Sequence, residues 1–299
     1  MFVNSDDYIK YLKLWLITLF LLIILMVAVG GLTRLTDSGL SITAWELFTG
    51  ILPPLNINEW NFYFSEYQKI PEYKNINYGM TLAEFKVIFY WEYAHRVLAR
   101  FVGLFTLLPL IVFNLKFKNT RYYSNKYYWI FFLVCFQGLV GWYMVSSGLI
   151  ENNDVSHFRL SIHLSLALFI LCLIFWFILN TFKIKKFEFK FPNFLLLLIL
   201  NLIVLQIILG AFLSGLDGGL IYNSWPDMNG NFFPGDVSYS DLLSTQLLSN
   251  VSIIQFLHRF TAYLLIFFII ILNYFFMKNK NYIKNIILFD LAILLQVFL

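Results

Sequence analysis

Seven apolar runs decide what this chain can become. They lie near 14–29, 97–115, 128–146, 160–180, 194–213, 260–277 and 283–299. Each is about long enough to cross a hydrocarbon core as a helix rising roughly 1.5 Å per residue. In lipid the backbone must satisfy its own hydrogen bonds, so such runs are helices, and the alternation of barrel strands is missing. The expected fold is an all-α integral membrane protein. Composition agrees, with 60% hydrophobic and 13% charged residues and a mean hydropathy of +0.73, against roughly 25% charged in soluble domains. An ordinary soluble enzyme, a disulfide scaffold and a disordered chain are thereby excluded. The first run lacks a small-x-small cleavage site and more spans follow it, which argues against a signal peptide. Cys135 and Cys172 sit inside apolar runs and read as core thiols rather than a disulfide or redox pair.

Charge gives the orientation. Lys10 and Lys13, then Lys116, Lys118, Arg121 and Lys126, then Lys183, Lys185, Lys186 and Lys190, then Lys278, Lys280 and Lys284 all fall on one side of the alternating spans. The other side carries most of the acids, including Asp37, Glu46, Glu59, Glu66, Glu72, Asp154, Asp217, Asp227 and Asp236. Lysine and arginine mark the inner face, so the N-terminus is expected in the cytoplasm or matrix and the acidic loops outside. The net charge of +4 is thus a topology signal and does not point to nucleic acid. Two outer connections are long, about 31–92 and 214–254, and hold Gly, Pro, Trp and Tyr. Long ordered loops usually carry function; Trp45, Trp60, Trp91 and Trp225 are expected mostly in a headgroup-level belt.

The chain reads as a duplication. One span ends Gly30-Gly31-Leu32-Thr33-Arg34-Leu35-Thr36-Asp37, another Gly210-Ala211-Phe212-Leu213-Ser214-Gly215-Leu216-Asp217. Each leads through a long outer loop to a matched helix start, Glu92-Tyr93-Ala94-His95-Arg96 and Gln255-Phe256-Leu257-His258-Arg259. Two four-span halves are expected, residues 1–190 and 191–299, the second incomplete. His163 follows His95 by 68 positions, and the same offset from His258 falls at 326, beyond Leu299. An eighth span and a fourth intramembrane histidine are expected there, with a natural seven-span chain as the alternative.

His95, His163 and His258 sit at outer ends of spans, where a polar group is costly unless paired or ligating. Histidines on facing helices of a bundle hold haem iron through neutral imidazole. Zinc would need a Cys or HExxH set that is missing from the sequence. His157 reads as a loop residue. Glu92 lies one turn before His95 and shares its face; a carboxylate at a haem edge can accept a proton or stabilise a developing cation. Its counterpart Gln255 cannot accept a proton, so the halves are alike in ligation and unlike in chemistry. Arg34, Arg96 and Arg259 either match haem propionates, as guanidinium matches carboxylate, or snorkel to headgroups.

These segments, with Arg159-Leu160-Ser161-Ile162-His163-Leu164 and Asn223-Ser224-Trp225-Pro226, resemble the haem A synthase family from about residue 30 to the end. The resemblance implies an eight-span pseudo-symmetric bundle that oxidises the C8 methyl of haem O to a formyl group by successive hydroxylations, giving haem A for cytochrome c oxidase. Carried over by position, His95 and His163 flank the substrate haem, Glu92 is the catalytic carboxylate, and His258 is an axial ligand of a b-type haem. The stretch from Thr36 to Pro54 lacks the cysteine pair of some members, so the chain is similar to the mitochondrial and alphaproteobacterial branch. The implied location is the inner membrane of the bacterium or mitochondrion. Implied partners are haem O, the farnesyltransferase that makes it, the lipid bilayer and a second copy of the chain. The electron acceptor is open, and no nucleic acid is expected. Two other readings stand beside this one: a di-haem b-type electron-transfer cytochrome, and a repeat-built transporter for which Asp290, well inside a span, is the main support.

Overall fold

The computed structural model describes residues 5–45, 50–117, 125–151, 154–184, 193–245, 247–277 and 283–298. Glu46, Lys118, Arg121, Lys185, Lys186, Lys190, Lys278 and Lys280, counted in the charge pattern, lie outside the described residues. The described chain is helical. It comprises α1 (Ser5–Leu35), α2 (Ile57–Tyr67), α3 (Pro71–Asn75), α4 (Leu82–Lys116), α5 (Tyr128–Glu151), α6 (His157–Thr181), α7 (Asn193–Gly215), α8 (Val251–Met277) and α9 (Ile283–Phe298). Among the described residues, six helices are long and apolar enough to cross a membrane: α1, α4, α5, α6, α7 and α8. The protein is therefore a multi-pass membrane protein, and α9 contributes a shorter apolar segment, Ile286–Gln296.

The chain divides into two compact units, residues 1–185 and 186–299. In the first, α1 packs on α4 and α6, and α5 packs on the same two helices. The four form a ring in which α4 and α6 stand diagonally. Its inner half is a hydrophobic core of Leu12, Leu16, Leu19, Leu110, Ile130, Ile170 and Ile174, with Trp15 donating its indole N–H to the Phe105 carbonyl at 3.0 Å. In the second unit α7 packs along α8, and α9 touches α8. There Asn273 of α8 donates to both oxygens of Asp290 at 2.9 Å, which partners the intramembrane acid.

The two long outer connections begin alike. The Thr36 amide bonds the Leu32 carbonyl and the Leu216 amide bonds that of Phe212, both at 3.0 Å. The next residue, Asp37 or Asp217, then turns into the left-handed region at φ 46° and 52°. Aspartate is one of the few side chains that tolerates that region, so the repeat in sequence is also a repeat in backbone.

The first connection is not the loop over 31–92 that hydropathy suggests. Helix α4 starts at Leu82, where Thr81 and Glu84 form a capping box, each bonding the other's backbone amide. At 35 residues, α4 is about 52 Å long, against roughly 30 Å of hydrocarbon, so its outer turns stand clear of lipid. They carry a cap with its own core: Leu40, Ile42, Trp60, Tyr67, Ile70, Phe85, Ile88 and Phe89. Hydropathy misses these turns because their polar residues dilute the average. Trp60, expected in the interfacial belt, instead lies 6% exposed against Phe89, while Trp45 and Trp225 are exposed. Cys135 and Cys172 are free, yet exposed on the bundle's outside rather than in its core; lipid there solvates a thiol as well as core side chains do.

Candidate functional site

In the first unit the ring of helices brings the predicted residues together. His95 comes from α4 and His163 from the diagonal α6. Each leans on a glycine of the neighbouring helix. A Cβ on Gly30 of α1 would meet His95 Cε1 at 3.1 Å, and a Cβ on Gly141 of α5 would meet His163 Cε1 at 2.8 Å. Any side chain at either position would displace the ring. Gln137 of α5 contacts His163 Nδ1 at 3.2 Å and donates to the His163 carbonyl at 2.9 Å, which pins that ring's orientation. Nδ1 of His95 is buried without a hydrogen-bond partner, an arrangement that is costly unless a ligand rewards it.

One turn before His95, Glu92 is 4% exposed and takes four donors. Its Oε2 accepts from the Ser41 hydroxyl and the Ile42 amide, both at 2.7 Å. Its Oε1 accepts from Arg96, at 2.9 Å from Nε and 2.6 Å from Nη2. A carboxylate offers about four lone-pair positions, so all are taken. The Ser41 hydroxyl is the replaceable donor, because the Ile88 carbonyl lies 3.3 Å away as an alternative acceptor. Ser41 can thus swing off Oε2 and free one position for a proton, without moving the backbone.

Above this point, the cap buries a second carboxyl. Glu72 accepts from the Tyr67 hydroxyl at 2.8 Å, and Asn77 donates to that hydroxyl at 2.7 Å. Burial pushes Glu72 up to about 7, against the partial opposition of the Tyr67 hydrogen bond. Burial likewise raises the Tyr67 phenol.

The second unit repeats part of this arrangement. His258 of α8 leans on Gly210 of α7, where a Cβ would lie 3.1 Å from Cε1. Its Nδ1 is buried without a partner, and Gln206 meets its Nε2 at 3.1 Å. Gln255 stands where Glu92 stands and donates to the Tyr222 carbonyl at 3.2 Å. Asp236 is held below the usual carboxylate range by the hydroxyls of Tyr222 and Ser252, which ties the outer loop to the start of α8.

The three arginines have partners within the protein. Arg34 pairs with Asp37 at 3.0 Å and Asp154 at 2.9 Å, joining the outer end of α1 to the segment before α6. Arg96 donates to the carbonyls of Ile42 (2.8 Å) and Ala44 (2.9 Å) as well as to Glu92. Arg259 donates to those of Tyr222 (2.6 Å), Ser224 (2.8 Å) and Asp227 (2.8 Å). These contacts lend no support to propionate binding.

The chemistry of the donor set fits a haem in the first unit. Two imidazoles on diagonal helices would supply nitrogen ligands to its iron. Among the described residues no three His, Cys, Asp or Glu side chains converge on a metal position. An iron there would need its equatorial donors from a macrocycle. In the second unit the fit rests on one imidazole, its glycine notch and its unpartnered Nδ1. Sequence reasoning missed Ser41, Gln137, Gln206 and Gly141. The glycines at 30 and 210 lie in the repeated motifs, and Ser41 follows the first of them by four residues; a histidine one helix away is the signal for the others, and sequence does not reveal it.

Comparison with known proteins gives the same direction. Residues 13–299 match the model of the COX15-CtaA family, described as cytochrome oxidase assembly protein. A Pelagibacter ubique protein named heme A synthase is 81% identical over the whole chain, which spans 89% of that protein. A Rickettsia bellii heme A synthase is 43% identical over 96% of the chain and 87% of its own length. One from Wolbachia pipientis wMel is 38% identical over 97% and 83%. No solved structure matches.

Proposed function

The chain belongs to the family of cytochrome oxidase assembly proteins, and from that premise we propose that it makes haem A by oxidising the C8 methyl of haem O to a formyl group. The observation that carries this reading is the difference between the units. The first sets a buried carboxylate, Glu92, one turn from a notched imidazole, whereas the second sets an amide, Gln255, at the same place. An electron carrier with no chemistry on the macrocycle has no use for that difference.

His95 and His163 hold the substrate haem O from opposite helices, with Gly30, Gly141 and Gln137 fixing the ring planes. Glu92 would face positive charge developing at the methyl as electrons pass from it to the electron acceptor that the oxidation requires, and in a water-excluded site a fixed carboxylate stabilises such charge strongly. With its lone pairs filled, this electrostatic role needs no rearrangement. Taking a methyl proton requires Ser41 to turn to the Ile88 carbonyl first. In the second unit His258 would hold a b-type haem, which would supply one-electron transfer. Arg34, by tying the end of α1 to Asp154, steadies the outer rim of the first bundle. The lysine and arginine pattern supports an N-terminus on the inner side of the inner membrane, and a farnesyltransferase supplies the haem O.

The test is Glu92→Gln in cells that depend on this protein for haem A. The expected result is a variant that still binds haem, with haem O accumulating and haem A absent on pigment extraction. Haem A at normal yield would end the proposal. Protohaem as the only pigment in wild-type protein and cells would favour the electron carrier.

A further inference from the structure

The two His–Arg pairs grip the same two carbonyls. Arg96 donates to Ile42 and Ala44, and Arg259 to Tyr222 and Ser224. Measured from the matched glycines at 30 and 210, these acceptors stand at identical places, twelve and fourteen residues on. The chain between grip and gripped differs greatly in length: Ala44 lies 52 residues before Arg96, and Ser224 lies 35 before Arg259. The first connection contains α2 and α3 while the second holds short 3-10 turns at Gly218–Leu220, Asp241–Leu243 and Leu247–Ser249, yet the contact survives. A tyrosine extends the grip in each unit: Tyr93 donates to the Ile51 carbonyl at 2.5 Å, and Tyr263 to that of Pro226 at 3.1 Å.

The chemistry suits arginine and no other side chain. A guanidinium presents five N–H donors in one plane, so it can satisfy several carbonyls at once. Backbone carbonyls that turn inward at the membrane surface need such donors, because an unpaired buried one is costly. Arg96 is itself largely covered, with a side-chain exposure of 13%. A haem carboxylate would have to compete with two loop carbonyls and Glu92 at Arg96, and with three loop carbonyls at Arg259.

We infer that Arg96 and Arg259 are a duplicated loop clasp: positioning residues that fix the first turn of each outer loop over its unit, and in the first unit Glu92 with it. Only the part concerning Glu92 rests on the proposed function. In that part Arg96 bonds Oε1 while the loop's own Ser41 and Ile42 bond Oε2. Loop, arginine and carboxylate therefore form one closed set, and losing Arg96 frees all three.

The experiment uses the full chain in lipid nanodiscs, with Arg96→Gln, Arg96→Lys, Arg259→Gln and Arg259→Lys. Amide hydrogen exchange is read on peptides covering 39–45 and 221–229. The Arg96 variants are expected to exchange at least tenfold faster in the first peptide and unchanged in the second, with the reverse for the Arg259 variants. Lysine, which keeps the charge but not the planar fork, is expected not to restore protection. Should either glutamine variant fail to accumulate, the lysine variant carries the same measurement. Unchanged exchange, or full protection by lysine, overturns the clasp. A second arm titrates protohaem and its dimethyl ester into each protein. The preference for the free acid is expected to match wild type within twofold in the Arg259 variants. A tenfold fall in that preference would assign Arg259 to a propionate and overturn the inference. A wild-type protein that binds neither porphyrin sinks the functional reading, while the exchange measurement still decides the clasp.

Discussion

Replacing Gly141 by alanine should displace an imidazole while removing no hydrogen-bonding group. The added Cβ would stand 2.8 Å from His163 Cε1, where carbon atoms in contact prefer about 3.5–4.0 Å. The neighbouring α5 backbone cannot retreat, so the ring must move by roughly 0.7–1.2 Å. Overpacking of this kind costs about 1–3 kcal/mol. The same substitution in an open stretch of helix should be favourable by about 0.5–1 kcal/mol, because glycine weakens a helix interior. The same helix supplies the control: a Cβ on Gly138, one turn earlier, meets nothing within 4 Å. Gly138→Ala should therefore stabilise the purified protein, and Gly141→Ala, which shares the helix gain but adds the overpacking, should lie about 1–3 kcal/mol below it. Two assays read the pair. Thermal inactivation in detergent reports stability, and Soret titration with haem reports whether the shifted His163 still ligates. If the imidazole moves by about 1 Å, turnover should fall on the order of a hundredfold even where binding persists. Identical behaviour of the two alanine variants in both assays would refute the claim that the glycine exists to seat the histidine.

Other outcomes follow from the cap. Glu72 is raised from 4.5 to about 7 by burial, so between those values the folded form holds a proton that the unfolded form has lost. Cap stability is then full below about pH 4.5 and declines as pH rises towards 7, by an amount on the order of 3 kcal/mol; proteolysis of the outer segment against pH should show this slope, and Glu72→Gln should flatten it. Trp60, 6% exposed against Phe89, should cost about 3–5 kcal/mol when cut to alanine. The cap should open to protease while the helical circular dichroism of the spans is retained; a cap as resistant as wild type would contradict its assignment to a core.

What the sequence determined by itself is what depends on local chemistry. Apolar runs long enough for lipid had to become helices because nothing in the bilayer satisfies a backbone. The doubled motifs at Gly30 and Gly210, and at His95 and His258, declared two related units because identical local residues make identical turns, as Asp37 and Asp217 do. The exchange of Glu92 for Gln255 was legible as a difference in what the two places can do with a proton. The tertiary structure decided which atoms those residues meet. The outer turns of α4 escaped hydropathy because their stability comes from a cap packed by residues such as Leu40, Ile42, Trp60 and Tyr67, not from lipid. Gly141 and Gln137 gained a role only when α5 was laid beside α6. Arg96 and Arg259, which charge alone allowed to face a carboxylate, were turned towards loop carbonyls dozens of residues away. A side chain's type fixes which bonds it can make, whereas the fold selects the partner that is within 3 Å.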